Sequence, residues 1–171
     1  ESVALVNCGI EDIKPLQPGH LIHINNGKIE IKKYAESKRI SHCMFEWVYF
    51  SNVSSVLDKR SVYLTRSNLG KELAKMETQK IDKDCIAVPV PDTAKAAGDS
   101  FAYELGIPSK EGIIRNRYVG RTFIEGGSRN DKISNKYTAL GDVLQGKRVF
   151  LVDDSIVRGN TTKQLVRYIK E

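Results

Sequence analysis

Short apolar runs that stop at polar residues alternate with longer stretches of helical periodicity along this chain. One run covers residues 149–152 and stops at two aspartates, and another covers residues 85–90 and stops at Pro91-Asp92-Thr93. Continuous apolar runs of this length are typical of strands buried on both faces of a parallel sheet. We therefore predict strands near residues 85–90, 112–115 and 148–153, and an α/β fold in which helices flank a parallel sheet.

Three helices are predicted beside these strands. Residues 61–75 place Val62, Leu69 and Leu73 on one face, which indicates an amphipathic helix. After Thr162, Leu165, Val166 and Ile169 follow at helical spacing and predict a helix at the end of the chain.

The third helix is expected to start at residues 91–93, directly after a predicted strand. Gly106 and Pro108 should end it. Asp92 or Thr93 could serve only as its N-cap, or the small residues at its start could form an anion site. Its buried face is predicted to contain Ala94, Ala97, Phe101 and Leu105.

Two shorter patterns lie in the first fifty residues. The runs 21–24 and 29–31 flank Asn25-Asn26-Gly27, which predicts a β-hairpin. The aromatic run 45–50 predicts a short core strand, since strands favour aromatic residues.

The stretch after residue 152 has the composition of a ligand site. Open α/β sheets bind ligands at the carboxyl ends of their strands, and helix N-termini with a preceding glycine hold phosphate groups. Arg158, Gly159, Thr161 and Thr162 therefore suit a phosphate, whereas the acidic pair before them suits hydroxyls or a metal ion. Ribose 5-phosphate has this combination of groups, although an acidic pair that merely caps a helix is the simpler interpretation.

Composition narrows the classes of partner. The formal charge of +6 allows a nucleic acid, a membrane surface or a polyphosphate as partner. Neither a basic stripe interleaved with aromatic residues nor an apolar run of membrane-spanning length is found, so neither nucleic acid nor membrane is expected. Cys8, Cys43 and Cys85 are odd in number and lack CxxC spacing, which favours a reducing, cytoplasmic setting.

The fourteen residues 149–162 resemble the phosphoribosylpyrophosphate (PRPP) signature of type I phosphoribosyltransferases. In detail, Val152-Asp-Asp-Ser-Ile-Val-Arg-Gly-x-Thr-Thr162 is similar to the glutamine PRPP amidotransferase branch, the amidophosphoribosyltransferases. Three further stretches extend the resemblance through nearly the whole chain: Cys43-Met-Phe-Glu-Trp-Val-Tyr-Phe50, Val88-Pro-Val-Pro-Asp-Thr93 and Arg115-Asn-Arg-Tyr-Val-Gly-Arg-Thr-Phe-Ile124.

The resemblance implies a reaction and a type I phosphoribosyltransferase-like fold. Ammonia, released from glutamine in the full-length enzyme, attacks C1 of PRPP and gives 5-phosphoribosylamine and pyrophosphate, the first step of purine synthesis. The implied cofactor is Mg²⁺, the implied regulators are purine nucleotides as feedback inhibitors, and the implied assembly is a homo-oligomer. An iron–sulfur cluster is not predicted, although Cys43 stands where cluster-bearing members place one ligand.

The resemblance also assigns the site residues. Catalytic roles fall to Asp153, Asp154, Arg117 and Tyr118, and metal contacts to Thr93, Asp153 and Asp154. Arg117, Tyr118 and Arg121 lie in a basic stretch from Arg115 to Lys136, which is predicted to be a flap that closes over a polyphosphate, the simpler alternative being a solvated loop. The residues expected to contact PRPP are Thr93, Lys95, Arg121, Asp153, Asp154, Ser155, Arg158, Gly159, Asn160, Thr161 and Thr162.

By resemblance, residues 1–42 are the tail of the glutaminase domain, an N-terminal-nucleophile hydrolase, and contribute a short β segment. Residues 43–171 are the phosphoribosyltransferase domain, truncated at its C-terminus. The glutaminase needs a cysteine as its first residue, but the chain starts with Glu1 and Cys8 is internal, so glutamine hydrolysis is not expected of it.

The chain departs from the family pattern at two places. At a third place, a difference from the purine-base transferases supports the amidotransferase resemblance. Gly126-Gly127-Ser128 replaces a Pro/Gln-containing stretch of the flap. Asn160 replaces a threonine, so phosphate binding is expected to be weakened but kept, with Asn160 still able to cap the helix. Val157 stands where several purine-base transferases carry an acidic residue, and an amine nucleophile needs no such contact.

Two alternatives remain open from the sequence. One is a PRPP-binding regulatory protein of the same fold that lacks catalysis and binds nucleic acid through its positive surface. The other is an inert fragment of the enzyme. Binding of PRPP with Mg²⁺, followed by ammonia-dependent release of pyrophosphate, distinguishes all three.

Overall fold

The computed structural model describes residues 1–116, 118 and 136–170 of the 171-residue chain. Its strands are His20–Asn25 (β1), Lys28–Lys33 (β2), Val56–Leu57 (β3), Arg60–Ser61 (β4), Cys85–Pro89 (β5), Ile113–Arg115 (β6), Tyr137–Ala139 (β7) and Arg148–Val152 (β8). Its α-helices are Ser2–Asn7 (α1), Val62–Met76 (α2), Lys95–Leu105 (α3), Gly141–Leu144 (α4) and Asn160–Lys170 (α5), and a π-helical turn covers Glu46–Phe50.

The parallel pair β5–β8 is the centre of the fold, and it confirms two of the three predicted strands. Side chains of β5 are buried on both faces. Cys85 and Ala87 join a core cluster with Phe101 of α3, whereas Ile86 and Val88 join another with Leu165 of α5. Burial on both faces explains why this strand is a continuous apolar run.

The third predicted strand exists, but its predicted place in the parallel sheet is wrong. Strand β6 pairs antiparallel with β7, with Ile113 opposite Ala139 and Arg115 opposite Tyr137. Antiparallel pairing requires only that the chain turn back on itself, whereas a parallel partner needs a crossover connection. The short segment β7 carried no periodicity that could have predicted it.

Helix α2 is present, and Ser61 caps it by accepting a hydrogen bond from the Leu64 N–H at 3.2 Å. Its predicted buried face is wrong apart from Val62, because Leu69 and Leu73 are exposed. The buried face contains Arg66, Gly70 and Ala74 as well as Val62. Small residues lie there because α2 packs closely against α3: a Cβ on Gly70 would lie 2.0 Å from the Ala97 carbonyl oxygen.

Helix α3 ends as predicted, at Gly106 in the left-handed conformation (φ 67°). Its start differs from the simple capping interpretation. Ala94 occupies the N-cap position without a side-chain hydrogen bond, so neither Asp92 nor Thr93 caps this helix. Both side chains are therefore available for other contacts.

The aromatic run 45–50 is not a strand, which corrects the prediction. It forms the π-helical turn Glu46–Phe50, closed by the Ser51 N–H bonded to the Glu46 carbonyl oxygen at 3.0 Å. Phe45, Tyr49 and Phe50 are exposed, so they do not form a core. Arg66, distant in sequence, donates hydrogen bonds to the carbonyl oxygens of Trp47 and Ser51, and local patterns cannot reveal such contacts.

The predicted N-terminal hairpin is confirmed. Strands β1 and β2 pair antiparallel from His20↔Lys33 to Asn25↔Lys28, and both Asn26 and Gly27 in the turn have positive φ. This geometry belongs to a two-residue hairpin turn. Among the helices described, none is long and apolar enough to span a bilayer.

Candidate functional site

Two loops lie side by side at the carboxyl ends of β5 and β8. The strands are in register up to Pro89 opposite Val152, and the Val90 N–H then donates to the Val152 carbonyl oxygen at 2.8 Å. Residues 91–94 and 153–159 therefore leave the sheet at the same edge. This is the edge where open α/β sheets bind ligands.

A cavity of about 650 Å³ opens between these loops. Its volume lies within the usual range for small-molecule sites. Besides the continuous stretch 153–162, the residues that line it are Tyr49, Val90, Pro91, Asp92, Thr93, Arg115, Lys136 and Tyr137. The predicted acidic pair and the predicted phosphate loop thus share one cavity.

The acidic pair is partly buried and tightly bonded. Asp153 accepts a hydrogen bond from the Asp154 N–H at 2.9 Å, and Asp154 accepts one from the Ser155 hydroxyl at 2.5 Å. Burial raises the pKa of Asp153, and the neighbouring charge of Asp154 adds to this, while the bond from the Asp154 N–H opposes it. A carboxylate that is costly to keep charged favours ligands that donate hydrogen bonds or carry positive charge.

Thr93 connects the two loops. Its hydroxyl donates a short hydrogen bond to Asp154, across 61 residues of sequence. This hydrogen bond brings Thr93 and Asp154 together, as the prediction that both act at one site requires. The Pro91–Asp92 peptide bond, just before Thr93, is cis.

The phosphate end of the cavity is formed by the start of α5. Gly159 has a φ of 69°, and its carbonyl oxygen accepts the Lys163 N–H at 2.8 Å, so Gly159 and not Asn160 occupies the N-cap position. Asn160, Thr161 and Thr162 lie in the first turn and line the cavity. The unpaired N–H groups of a first turn and the positive end of the helix dipole suit an anion.

Two basic residues line the same cavity. Arg115 and Lys136 both line the cavity, and the pairing of β6 with β7 places them together: the Asn116 N–H donates to the Lys136 carbonyl oxygen at 2.8 Å. Arg115 also contacts Asp92, with 3.0 Å between Nη1 and Oδ2. Two cations and a helix N-terminus in one cavity make it suited to a ligand that carries more than one phosphate group.

Some predicted site residues are not brought to the cavity. Lys95 forms a short ion pair with Glu111 and does not line it. Tyr118 is 99% exposed, and its N–H donates to the Asn116 side chain. Arg117, Arg121 and the departure at residues 126–128 lie outside the described residues.

Sequence reasoning missed other members of the cavity. Asp92 had a signal, since it follows a buried strand directly. Arg115 and Lys136 have a signal only as members of a charged stretch. Tyr137 has no signal until strand β7 is known. Tyr49 had no signal at all, because it comes from the π-helical turn, which was predicted to be a core strand.

The carboxylates fit a Mg²⁺ ion that is shared with a substrate. Mg²⁺ usually keeps several waters and binds through one or two carboxylates plus substrate oxygens, and Thr93, Asp153 and Asp154 offer that donor set. Within the part of the chain described, no group of three or more His, Cys, Asp or Glu side chains could hold a metal unaided. Cys8 and Cys43 are exposed, Cys85 is buried, and all three are free.

Comparison with known proteins places this geometry in context. No protein-family model matches the chain. It is 41% identical over 173 residues to the amidophosphoribosyltransferases of Methanothermobacter thermautotrophicus and Archaeoglobus fulgidus, and these alignments cover 100% of the chain but 36% and 37% of those proteins. The chain thus spans about a third of the length of these relatives.

Solved structures agree with the sequence matches. The allosteric regulatory enzyme of purine biosynthesis superposes with a TM-score of 0.83 at 35% identity, covering 99% of this chain and 36% of that one. Glutamine PRPP amidotransferase from B. subtilis, complexed with ADP and GMP, gives a TM-score of 0.82 at 35% identity, with 99% and 37% coverage. Both confirm the α/β fold expected from the motifs.

Proposed function

Since the chain belongs to the amidophosphoribosyltransferase family, we propose that its cavity binds PRPP with Mg²⁺ and is the site of phosphoribosyl transfer to ammonia. In that reaction a C–N bond forms at C1 of the ribose, the C1–O bond to pyrophosphate breaks, and a proton leaves the attacking ammonia. The products are 5-phosphoribosylamine and pyrophosphate. The reaction requires a site that holds both ends of one sugar phosphate.

The contact between Thr93 and Asp154 is the observation that carries this proposal. It joins the loop after β5 to the loop after β8, so the groups suited to pyrophosphate and those suited to ribose phosphate line one cavity. If each loop lined a separate cavity, a single PRPP molecule could not contact both of them.

Each part of the cavity receives a proposed role from its chemistry. Residues 158–162 bind the 5-phosphate at the start of α5, where Gly159 allows close approach of the backbone. Asp153 and Asp154 accept hydrogen bonds from the ribose hydroxyls. Arg115 and Lys136 stabilise the negative charge that develops on pyrophosphate as it leaves.

Three predicted residues keep a proposed role that depends on the closed state of the basic stretch. Arg117 and Arg121 are expected to contact pyrophosphate, and Tyr118 to approach the cavity from its exposed position. Lys95 would have to leave Glu111 to contact a phosphate.

Thr93, Asp153 and Asp154 are the residues that would hold Mg²⁺ together with the substrate. When bound, the ion would supply charge neutralisation to the pyrophosphate oxygens. The side chains of this protein orient the ribose and exclude water from C1. An iron–sulfur cluster is not part of the proposal.

The domain division also remains a proposal. Residues 1–42 are assigned to the end of a glutaminase domain and residues 43–171 to the phosphoribosyltransferase domain, with ammonia supplied by glutaminase in a full-length protein. The B. subtilis neighbour was solved with ADP and GMP, which supports purine nucleotides as ligands, and their role as feedback inhibitors stays a prediction. A homo-oligomer and a cytoplasmic setting stay predictions.

The test combines a binding measurement with an assay of turnover. Isothermal titration of the full chain with PRPP is expected to show binding with Mg²⁺ and none after EDTA treatment. Pyrophosphate release should then depend on ammonia. Binding without release would favour the PRPP-binding regulatory protein over the enzyme, and absence of binding would contradict the proposal.

A further inference from the structure

Arg66 of helix α2 is an unusual buried charge. Only 3% of it is exposed, although charged side chains are rarely so buried unless they are paired. Its hydrogen-bond partners in the described structure are main-chain carbonyl oxygens: Nε donates to Trp47 and one terminal nitrogen donates to Ser51, each at 2.8 Å. A buried guanidinium used in this way is placed to hold a segment of backbone.

The two carbonyl groups flank the π-helical turn that carries Tyr49. Trp47 lies near the start of the turn and Ser51 follows its last residue, so the guanidinium bridges both ends. Tyr49 stands between them and lines the cavity. Ser51 is also buried, and its hydroxyl donates to Glu46 at 2.6 Å, which closes the turn on its other side.

The physical need for such support is clear from the turn itself. A single π-helical turn has few hydrogen bonds of its own and is rarely stable without tertiary contacts. Arginine offers five donors in a rigid planar fork, so it can satisfy two carbonyl groups at once, which a lysine cannot do with fixed geometry. Helix α2 gives a firm base, because Gly70 brings it into close contact with α3.

We propose that Arg66 is a positioning residue of the cavity: it holds the turn Glu46–Phe50 against α2 and thereby sets the position of Tyr49 in the cavity wall. Arg66 does not line the cavity itself. The role in ligand binding rests on the proposed function, whereas the role in holding the turn does not. Burial lowers the pKa of Arg66, while the charge of Asp154 acts in the opposite direction.

The first test reads the turn directly. Trp47 is the only tryptophan of the chain, and its carbonyl oxygen is one of the two groups that Arg66 binds. Acrylamide quenching of Trp47 fluorescence should rise about two-fold in Arg66→Met and recover in part in Arg66→Lys, because a lysine can hold one carbonyl group but not both. Lys75→Gln, which removes an exposed cation from the same helix, should leave quenching unchanged.

The second test reads the cavity. Arg66→Met is expected to weaken PRPP binding in the presence of Mg²⁺ about ten-fold, as a displaced wall residue would. In a Tyr49→Ala background the same substitution should have almost no further effect, because two residues that act through one contact are not additive. Arg66→Lys should lie between the wild type and Arg66→Met, and it supplies the comparison if Arg66→Met does not fold.

Contrary results are distinct for the two proposals. Unchanged Trp47 quenching in both Arg66 variants would overturn the positioning role, whatever the ligand. If Arg66→Met weakened binding equally in the wild-type and Tyr49→Ala backgrounds, the positioning role would also be overturned, since Arg66 would then act independently of Tyr49. Failure of the wild-type chain to bind PRPP would contradict the proposed function and leave the quenching result to decide the role of Arg66.

Discussion

The N-terminal hairpin and the sheet that carries the cavity are built on opposite physical bases. None of residues 1–42, all of which the structure describes, is buried, and Ile22, Ile24, Ile29 and Ile31 of the hairpin are each at least half exposed. Strand β5 is buried along its whole length. Local turn chemistry therefore accounts for the hairpin, whereas tertiary packing accounts for the cavity.

This contrast in burial indicates where a binding site can be located in this chain. A two-stranded hairpin without a covered face is marginally stable by itself, so it is a weaker support for a site than a packed sheet. Strand β5 is buried, and β8 pairs with it in register, so the loops that follow the two strands are held at a defined distance. The cavity has the rigidity that binding requires.

The largest effect is expected in the region packed around β5, which includes helices α2 and α3. Gly70→Val should destabilise the chain by about 3 kcal/mol, because its side chain would collide with the Ala97 backbone and separate α2 from α3. Ile29→Val is the matched control in the hairpin and should change the free energy of unfolding by less than about 0.5 kcal/mol. Denaturant unfolding measures both, and similar losses would refute the contrast between the two regions.

The next largest effect is a loss of ligand affinity at the cavity. Asp154→Asn should weaken binding of PRPP with Mg²⁺ about ten- to a hundred-fold, since a charged partner of the ribose end is lost. Asp142→Asn removes an exposed carboxylate from α4, away from the cavity, and serves as the control. Titration calorimetry gives both affinities, and equal values for wild type and Asp154→Asn would exclude the acidic pair from the site.

A smaller effect sharpens the description of the hairpin. Gly27→Ala places a side chain at a φ of 77° and should cost the hairpin about 1 kcal/mol. Because the hairpin shares no buried core with β5, hydrogen exchange should accelerate in residues 20–33 and stay unchanged in 85–89. A matching acceleration in β5 would show that the two regions unfold together.

The smallest effect is a pH dependence confined to the cavity. Burial raises the pKa of Asp153 in the folded protein, so the folded state binds more protons than the unfolded state between the ordinary aspartate pKa and the raised value. The contribution of Asp153 to the stability of the ligand-free, metal-free chain should therefore fall as pH rises through this interval. Glu1 and Asp82, whose pKa values are lowered by hydrogen bonds, contribute with the opposite sign, so the measured quantity is the difference between variants. Asp153→Asn should remove the contribution of Asp153 and make the slope more positive than in the wild type, whereas Asp142→Asn should leave it unchanged; equal slopes in the wild type and Asp153→Asn would contradict the raised pKa of Asp153.

Much of the fold was predictable because local physics and global fold agree there. Buried strands produce apolar runs, so residues 85–90 and 148–153 were identified, and the Asn26-Gly27 turn and the Gly106 cap follow from positive φ. The face of α2 was not predictable. Its packing against α3 requires small residues at the contact, which left Leu69 and Leu73 outside and Arg66 inside.

The candidate site divides in the same way. Residues 153–162 are consecutive, so their shared chemistry was visible in one stretch of sequence. Tyr49, Arg115 and Lys136 reach the cavity from three separate segments, and Lys95 is held away from it by Glu111. A side chain's distance to a cavity formed by other segments is not encoded in its neighbours along the chain.

By itself, the sequence determined the two central strands, the hairpin, the Gly106 end of α3 and the grouping of acidic, glycine and threonine residues after β8, because each depends on interactions within a few residues or on the periodicity of burial. Only the tertiary structure decided which face of α2 is buried, that β6 pairs with β7, that residues 46–50 form a helical turn and that Thr93 meets Asp154. These features depend on the free energy of contacts between distant segments, and packing two helices at close range or burying Arg66 against two carbonyl groups has no local signature.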